Sequence, residues 1–182
     1  MTSTITDVAA YEYKPTDELL LDTNVWLNAY SPRGPHDPRV RAYSRALADM
    51  LNAKCRIYID PLVLAEYANV SAHLKFLVLR EEDPSLPKEF VDFRKSEAFA
   101  DVAANVANEV KAVLKNSHCI DIPFSAIDVA AAVDRFAAGD RDFNDLVIAE
   151  TCRARKLILV TDDAGFRDCG LMVLTANRKL LS

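Results

Sequence analysis

Apolar and polar positions along this chain alternate between two rhythms. Short continuous apolar runs at Leu19–Leu21, Cys55–Ile59, Cys119–Ile122, Leu157–Val160 and Leu171–Leu174 are too brief for helices and predict buried strands. Between them, Arg39–Ala53, Pro61 to about Arg80, Lys88–Lys115 with a break near Ser96, the stretch up to Ala138 and Asp142–Arg155 carry the helical period. Local signals agree with this division. Asp60 and Pro61 read as an N-cap and first helical residue, Ser125 and Asp128 as a variant capping box, and Gly139 as a helix stop. Residues 1–10 read as a loose arm, and Asp22-Thr23-Asn24 as a polar turn closing the first strand. Continuous apolar strands alternating with helices predict an α/β fold with a mainly parallel sheet covered on both faces.

The chain has 182 residues, of which 51% are apolar, enough for one core and too few for two comfortable domains. One domain over residues 1–182 is therefore expected. The net charge of −5 argues against a surface that grips phosphates all over, so any nucleic-acid contact must be local or shared with a partner. Cys55, Cys119, Cys152 and Cys169 lack the paired spacing of zinc ribbons and read as reduced thiols. His36, His73 and His118 share no ligand-like spacing. No secretory signal is visible and no apolar run approaches the roughly 20 residues of a membrane span, so a cytoplasmic protein with no membrane contact is expected.

Acidic residues change the picture. In open parallel sheets, ligands bind beyond the carboxyl ends of the strands. Asp22 stands at one such end, and Asp162 and Asp163 stand just past another. Asp145 shares a helical face with Ile148, Ala149 and Cys152, and Glu66 shares one with Leu62, Val63, Val70 and Leu77, so each carboxylate borders an apolar stripe. Singly, each acid has a bland reading: Asp22 a turn residue, Asp142 an N-cap, Asp162 a solvated turn acid or cap, Glu66 a snorkelling surface residue. Convergence of Asp22, Glu66, Asp145 and Asp163 would instead create repulsion that a cation relieves. Oxygen-only donors favour Mg²⁺ or Mn²⁺ over Zn²⁺. Carboxylate-held magnesium serves phosphoryl chemistry, and in-line hydrolysis would leave a 5′-phosphate and a 3′-hydroxyl.

The order of Leu-Leu-Leu-Asp-Thr-Asn at 19–24, Glu66, Asn-Asp-Leu-Val-Ile-Ala at 144–149 and Val-Thr-Asp-Asp-Ala-Gly-Phe at 160–166 resembles the PIN domain. The resemblance spans about Leu19 to Leu174 and implies a three-layer α/β/α fold and a Mg²⁺- or Mn²⁺-dependent ribonuclease, often the toxin of a VapC-like toxin–antitoxin pair. It makes Asp22, Glu66, Asp145 and Asp163 the catalytic, metal-holding acids, with Asn24 and Thr161 supporting them through hydrogen bonds. Asp142 and Asp162 are further supporting acids, and the spacing to Phe166 fits Asp163 better than Asp162. The stretch between Phe76 and His118 is longer than in compact toxins and implies a helical insertion.

Substrate contacts are expected from Arg33, Arg39, Arg41 and Arg45, and from Arg153, Arg155 and Lys156; ordinary solvated helix faces would look the same. Expected partners are an RNA substrate, an antitoxin protein covering the cleft, and a second copy of the chain meeting near Trp26, unless Trp26 is core. Rival readings are a PIN-type nuclease for RNA processing or structured DNA, a non-catalytic binding module, and a phosphorelay receiver with Asp60 as acceptor. A receiver needs a second acid beside Asp22 and a lysine after Leu157–Val160, and both are missing.

Overall fold

A computed structural model describes residues 2–30 and 36–182. Six parallel strands form one sheet: β1 (Thr4–Asp7), β2 (Glu18–Leu21), β3 (Arg56–Ile59), β4 (His118–Cys119), β5 (Ile158–Val160) and β6 (Met172–Thr175). Their order across the sheet is β1-β6-β5-β2-β3-β4. Helices α1 (Thr23–Ala29), α2 (Pro38–Asn52), α3 (Pro61–Glu82), α4 (Phe90–Phe93), α5 (Phe99–Lys115), α6 (Val129–Ala137), α7 (Phe143–Arg155) and α8 (Arg178–Leu181) complete a three-layer α/β/α fold. Leu19, Leu20 and Leu21 pair with Ile158, Leu159 and Val160 in the central register and are fully buried. Burial of each leucine contributes about 1.5–3 kcal/mol.

The chain leaves β2 toward β3 on one side and later returns to β5 on the other. The two connections diverge between β2 and β5, which opens a crevice past their carboxyl ends.

Several local expectations are corrected. The supposed loose arm contributes β1, whose Thr4–Asp7 pair with Met172–Thr175 at the sheet edge. The polar turn after β2 is the start of α1, because Asp22 caps that helix and its next turn buries Val25 and Trp26. The strand predicted over Cys119–Ile122 shrinks to His118–Cys119, an edge pair beside β3. In the proposed capping box, Asp128 is itself the cap, accepting from the Ala131 N–H at 2.9 Å, while Ser125 lies in a preceding 3₁₀ turn. Asp60, the conceivable phosphoacceptor, caps α3 by accepting from the Leu62 N–H at 2.7 Å.

On α3 the buried positions are Val63, Tyr67, Ser71, Ala72 and Phe76, whereas Leu62 and Leu77 are exposed. The stripe is thus rotated from the one predicted, and Glu66 stands outside it. Contrary to expectation, α3, with 22 residues and an 18-residue window of mean hydropathy 1.3, also meets the length and composition of a membrane span. Here its second half joins α4 and α5 in a satellite core of Phe76, Phe93, Val102 and Val106, separate from the main core around the sheet. All four cysteines are free thiols.

Candidate active site

Asp22 sits at the mouth of the crevice with only 5% of its surface exposed. Three donors hold its carboxylate and leave Oδ1 a free lone pair. Oδ1 accepts from the Thr23 N–H at 2.7 Å, and Oδ2 accepts from the Thr161 hydroxyl at 2.7 Å and the Asn24 amide at 2.5 Å. Burial pushes the Asp22 carboxyl up to about 6; the bonds from Thr161 and Thr23 pull it down, and the charges of Glu66 and Asp163 push it up again.

Asp145 arrives from the other side on the first turn of α7. Asp142 sets that turn by accepting from the Asn144 N–H at 3.1 Å, and Ile148, Ala149 and Cys152 anchor the Asp145 face in the core as the helical spacing predicts. The Asp145 carboxyl is pushed up to about 7, first by burial and then by Asp22, Asp163 and Asp142, with the Arg141 guanidinium opposing. Burial is thus the first cause for both carboxyls, and the charge of Asp22 adds to the rise of Asp145 from a different element.

Glu66 is exposed and held by one bond, from the Thr23 hydroxyl at 2.9 Å. The two neighbouring aspartates after β5 part company. The Asp162 carboxylate takes the buried Tyr43 hydroxyl at 2.9 Å and Arg39 Nε at 3.3 Å, and its side chain is 8% exposed. It is neither a solvated turn acid nor a helix cap. Asp163 is the cap, accepting from the Gly165 N–H at 2.8 Å, and its own N–H donates to the Thr161 hydroxyl at 3.0 Å. A Cβ at Gly165 would lie 3.3 Å from Asp163 Oδ1, so glycine leaves this carboxylate its room.

Among the described residues, no three His, Cys, Asp or Glu side chains are gathered into a group that could hold an ion. The donor chemistry nevertheless suits a hard divalent cation. Asp22, Glu66, Asp145 and Asp163 offer oxygen alone, and Mg²⁺ needs only one or two carboxylates because it keeps much of its water. A cation would also relieve the repulsion that raises Asp22 and Asp145.

The PIN domain profile matches residues 19–170. The chain belongs to the PIN domain family. PIN domains are generally nucleases, hydrolases of phosphodiester bonds. In fold this PIN domain is similar to VapBC2 from Rickettsia felis, solved bound to a DNA fragment from its promoter, with a TM-score of 0.57 at 19% identity over 87% of this chain and 98% of that one. It is also similar to PAE2754 from Pyrobaculum aerophilum, with a TM-score of 0.50 at 14% identity over 93% and 96% of the two chains. No curated protein sequence matches it.

Of the basic residues expected to meet substrate, Arg33 lies outside the described residues. Arg39 is 60% exposed but paired with Asp162. Arg153 donates to the Cys169 carbonyl at 2.7 Å and pairs with Glu150. Arg155 and Lys156 close the far end of α7, about 15 Å along the axis from Asp145. That second cluster is therefore not at the acids of this PIN domain. Trp26, expected to flank a partner, is wholly buried and stacks on Tyr30.

Three residues escaped the sequence reading. Thr23 was visible beside Asp22, but its bond to Glu66 spans 43 positions. Tyr43 lies on the buried face of α2, and a buried tyrosine hydroxyl needs a partner, here Asp162 and the Ala176 N–H at 3.0 Å. Arg141 looked like one charge in an acidic run; its side chain is 8% exposed and donates to Cys169 Sγ at 2.7 Å.

Proposed function

We propose that this PIN domain is a divalent-metal-dependent endoribonuclease whose site consists of Asp22, Glu66, Asp145 and Asp163. The observation that carries this reading is the buried Asp22 facing Asp145 across the crevice, both with carboxyls raised toward neutrality. Such a pair is costly to fold without a counter-cation. A bound Mg²⁺ or Mn²⁺ would supply charge stabilisation at a scissile phosphate and a more acidic water.

The chain's own residues then have separable tasks. Thr161 and Asn24 aim Oδ2 of Asp22, Thr23 aims Glu66, and Asp142 fixes the helical turn that presents Asp145. Asp163 is carried on a tight cap, and Asp162 ties the same loop to α2 through Tyr43. The family resemblance supports RNA as the substrate, and Arg39, paired with Asp162 at 3.3 Å, places a cation at this loop. The Rickettsia felis neighbour is a VapBC2 assembly, which supports a toxin role for this chain, held in check by an antitoxin in the cytoplasm. The net charge of −5 suits an antitoxin with a basic segment.

Cleavage of labelled single-stranded RNA, structured RNA and DNA in EDTA, Mg²⁺ or Mn²⁺ tests the proposal. Metal-dependent RNA cleavage that Asp22→Asn and Asp145→Asn each abolish is the expected result. A folded protein that neither cuts nor binds Mn²⁺ would mark the chain as a non-catalytic module.

A further inference from the structure

Beside the acids, between α1 and α3, lies a cavity of about 250 Å³. Asn24 belongs to both places, donating to Asp22 and lining the cavity. A space of this size admits a small planar group. It suits a single inserted ring.

The lining defines which ring. Leu27, Leu74 and Val78 give apolar walls, and Tyr30 adds an aromatic one braced by the buried Trp26 at 6.1 Å and an interplanar angle of 16°. Hydrogen-bonding capacity lies among them. Asn28 spends its amide on the Asn24 carbonyl at 2.7 Å, which leaves its Oδ1 as an acceptor, and Ser71 donates to Glu109 at 2.8 Å, which leaves its oxygen likewise. The charged groups disfavour a phosphate here: Lys75 is committed to Glu109 at 2.8 Å, and Glu81 is itself an anion. A neutral, flat, apolar group with polar edges fits these walls, and a nucleobase is such a group.

We propose that this cavity receives one unpaired nucleobase next to the cleaved bond and gives the enzyme a base preference at that position. This rests on the nuclease reading, so the test has an arm independent of cleavage. In EDTA, the four nucleoside 5′-monophosphates are titrated at millimolar concentration into isotope-labelled full-length protein. Amide signals of Asn28, Ser71 and Leu74 are expected to move with at least one nucleotide, and Leu74→Trp, which fills the cavity, should weaken that response about tenfold. Val78→Trp at the exposed mouth serves as the second variant where Leu74→Trp does not fold.

In the cleavage arm, sequencing the cut ends of a randomised RNA should reveal one preferred base beside the cut, and the filling variant should lower the rate on the preferred sequence about tenfold, to that of the others. No movement with any of the four nucleotides would overturn the inference. So would a base preference untouched by a folded filling variant, or signals that move with protein concentration alone, which would assign the cavity to a second copy. Nucleotide binding at these amides without any cleavage would uphold the cavity and sink the nuclease reading instead.

Discussion

The Thr161 hydroxyl donates to Asp22 Oδ2 at 2.7 Å and so links the ends of β5 and β2 across 139 positions of sequence. The same oxygen accepts from the Asp163 N–H at 3.0 Å and from the Asn24 amide at 3.3 Å. One fully buried hydroxyl thereby orients two of the proposed metal-holding acids.

Thr161→Val keeps the shape and removes the hydroxyl. It leaves the Asp163 N–H without its acceptor and Asp22 Oδ2 with the Asn24 amide alone. A stability loss of about 1–3 kcal/mol is expected in denaturant unfolding, with a fall in cleavage rate, because a buried polar group stripped of its partner bears its full desolvation penalty. Unchanged stability and rate would separate Thr161 from the positioning of Asp22.

In EDTA the protein should become less stable as pH rises. Asp22 moves from 3.8 to about 6 on folding and Asp145 from 3.8 to about 7, so the native state binds more protons than the unfolded chain between those values. Stability is then fully present below pH 4 on account of these groups and is lost up to about pH 7. For the buried Asp22 alone the loss is about 3 kcal/mol. Thermal unfolding followed from pH 4 to 8 checks the slope, and Mg²⁺ or Mn²⁺ should restore the melting temperature most at the alkaline end. A metal-free protein whose acids give no such slope would contradict the crowding of Asp22 and Asp145.

Asp162 and Asp163 should respond differently to substitution. Asp163→Asn is expected to weaken Mn²⁺ binding and abolish cleavage. Asp162→Asn is expected to lower stability by about 1–2 kcal/mol through Tyr43 and Arg39 while leaving Mn²⁺ affinity within a few-fold. Isothermal titration with Mn²⁺ on both variants distinguishes them, and the reverse pattern would exchange their roles.

How much of this was legible in the sequence depends on the range of the contact that decides each feature. The parallel α/β order was readable because runs such as Leu19–Leu21 and Leu157–Val160 are apolar on both faces, a local property. The face of Asp145 was readable from helical spacing to Ile148 and Cys152. The strand at Thr4–Asp7 was not, since its half-buried, polar sequence pairs only because β6 offers an edge. The α3 stripe was misjudged because the helix is apolar nearly all round, so periodicity did not single out Tyr67 and Ser71 over Leu62 and Leu77. The division of labour between Asp162 and Asp163 waited on Tyr43, which lies 119 positions away from Asp162.

Glu66 gives the last test, since as an exposed side chain it would wander without its tether. Thr23 is 5% exposed and donates its hydroxyl to Glu66 Oε2 at 2.9 Å, so a buried residue fixes an exposed one. Thr23→Val keeps the branched shape and frees the glutamate. Bonds of this kind to a metal-holding group typically change affinity or activity 10–100-fold, and a loss of about tenfold in Mn²⁺ affinity or cleavage rate is expected. Thr23→Ser retains the hydroxyl and should recover most of that loss. Combining Thr23→Val with Glu66→Gln should cost little beyond Glu66→Gln alone, because both act through one carboxylate. Full additivity of the two substitutions would mean that Thr23 supports the site by packing and that Glu66 finds its place without it.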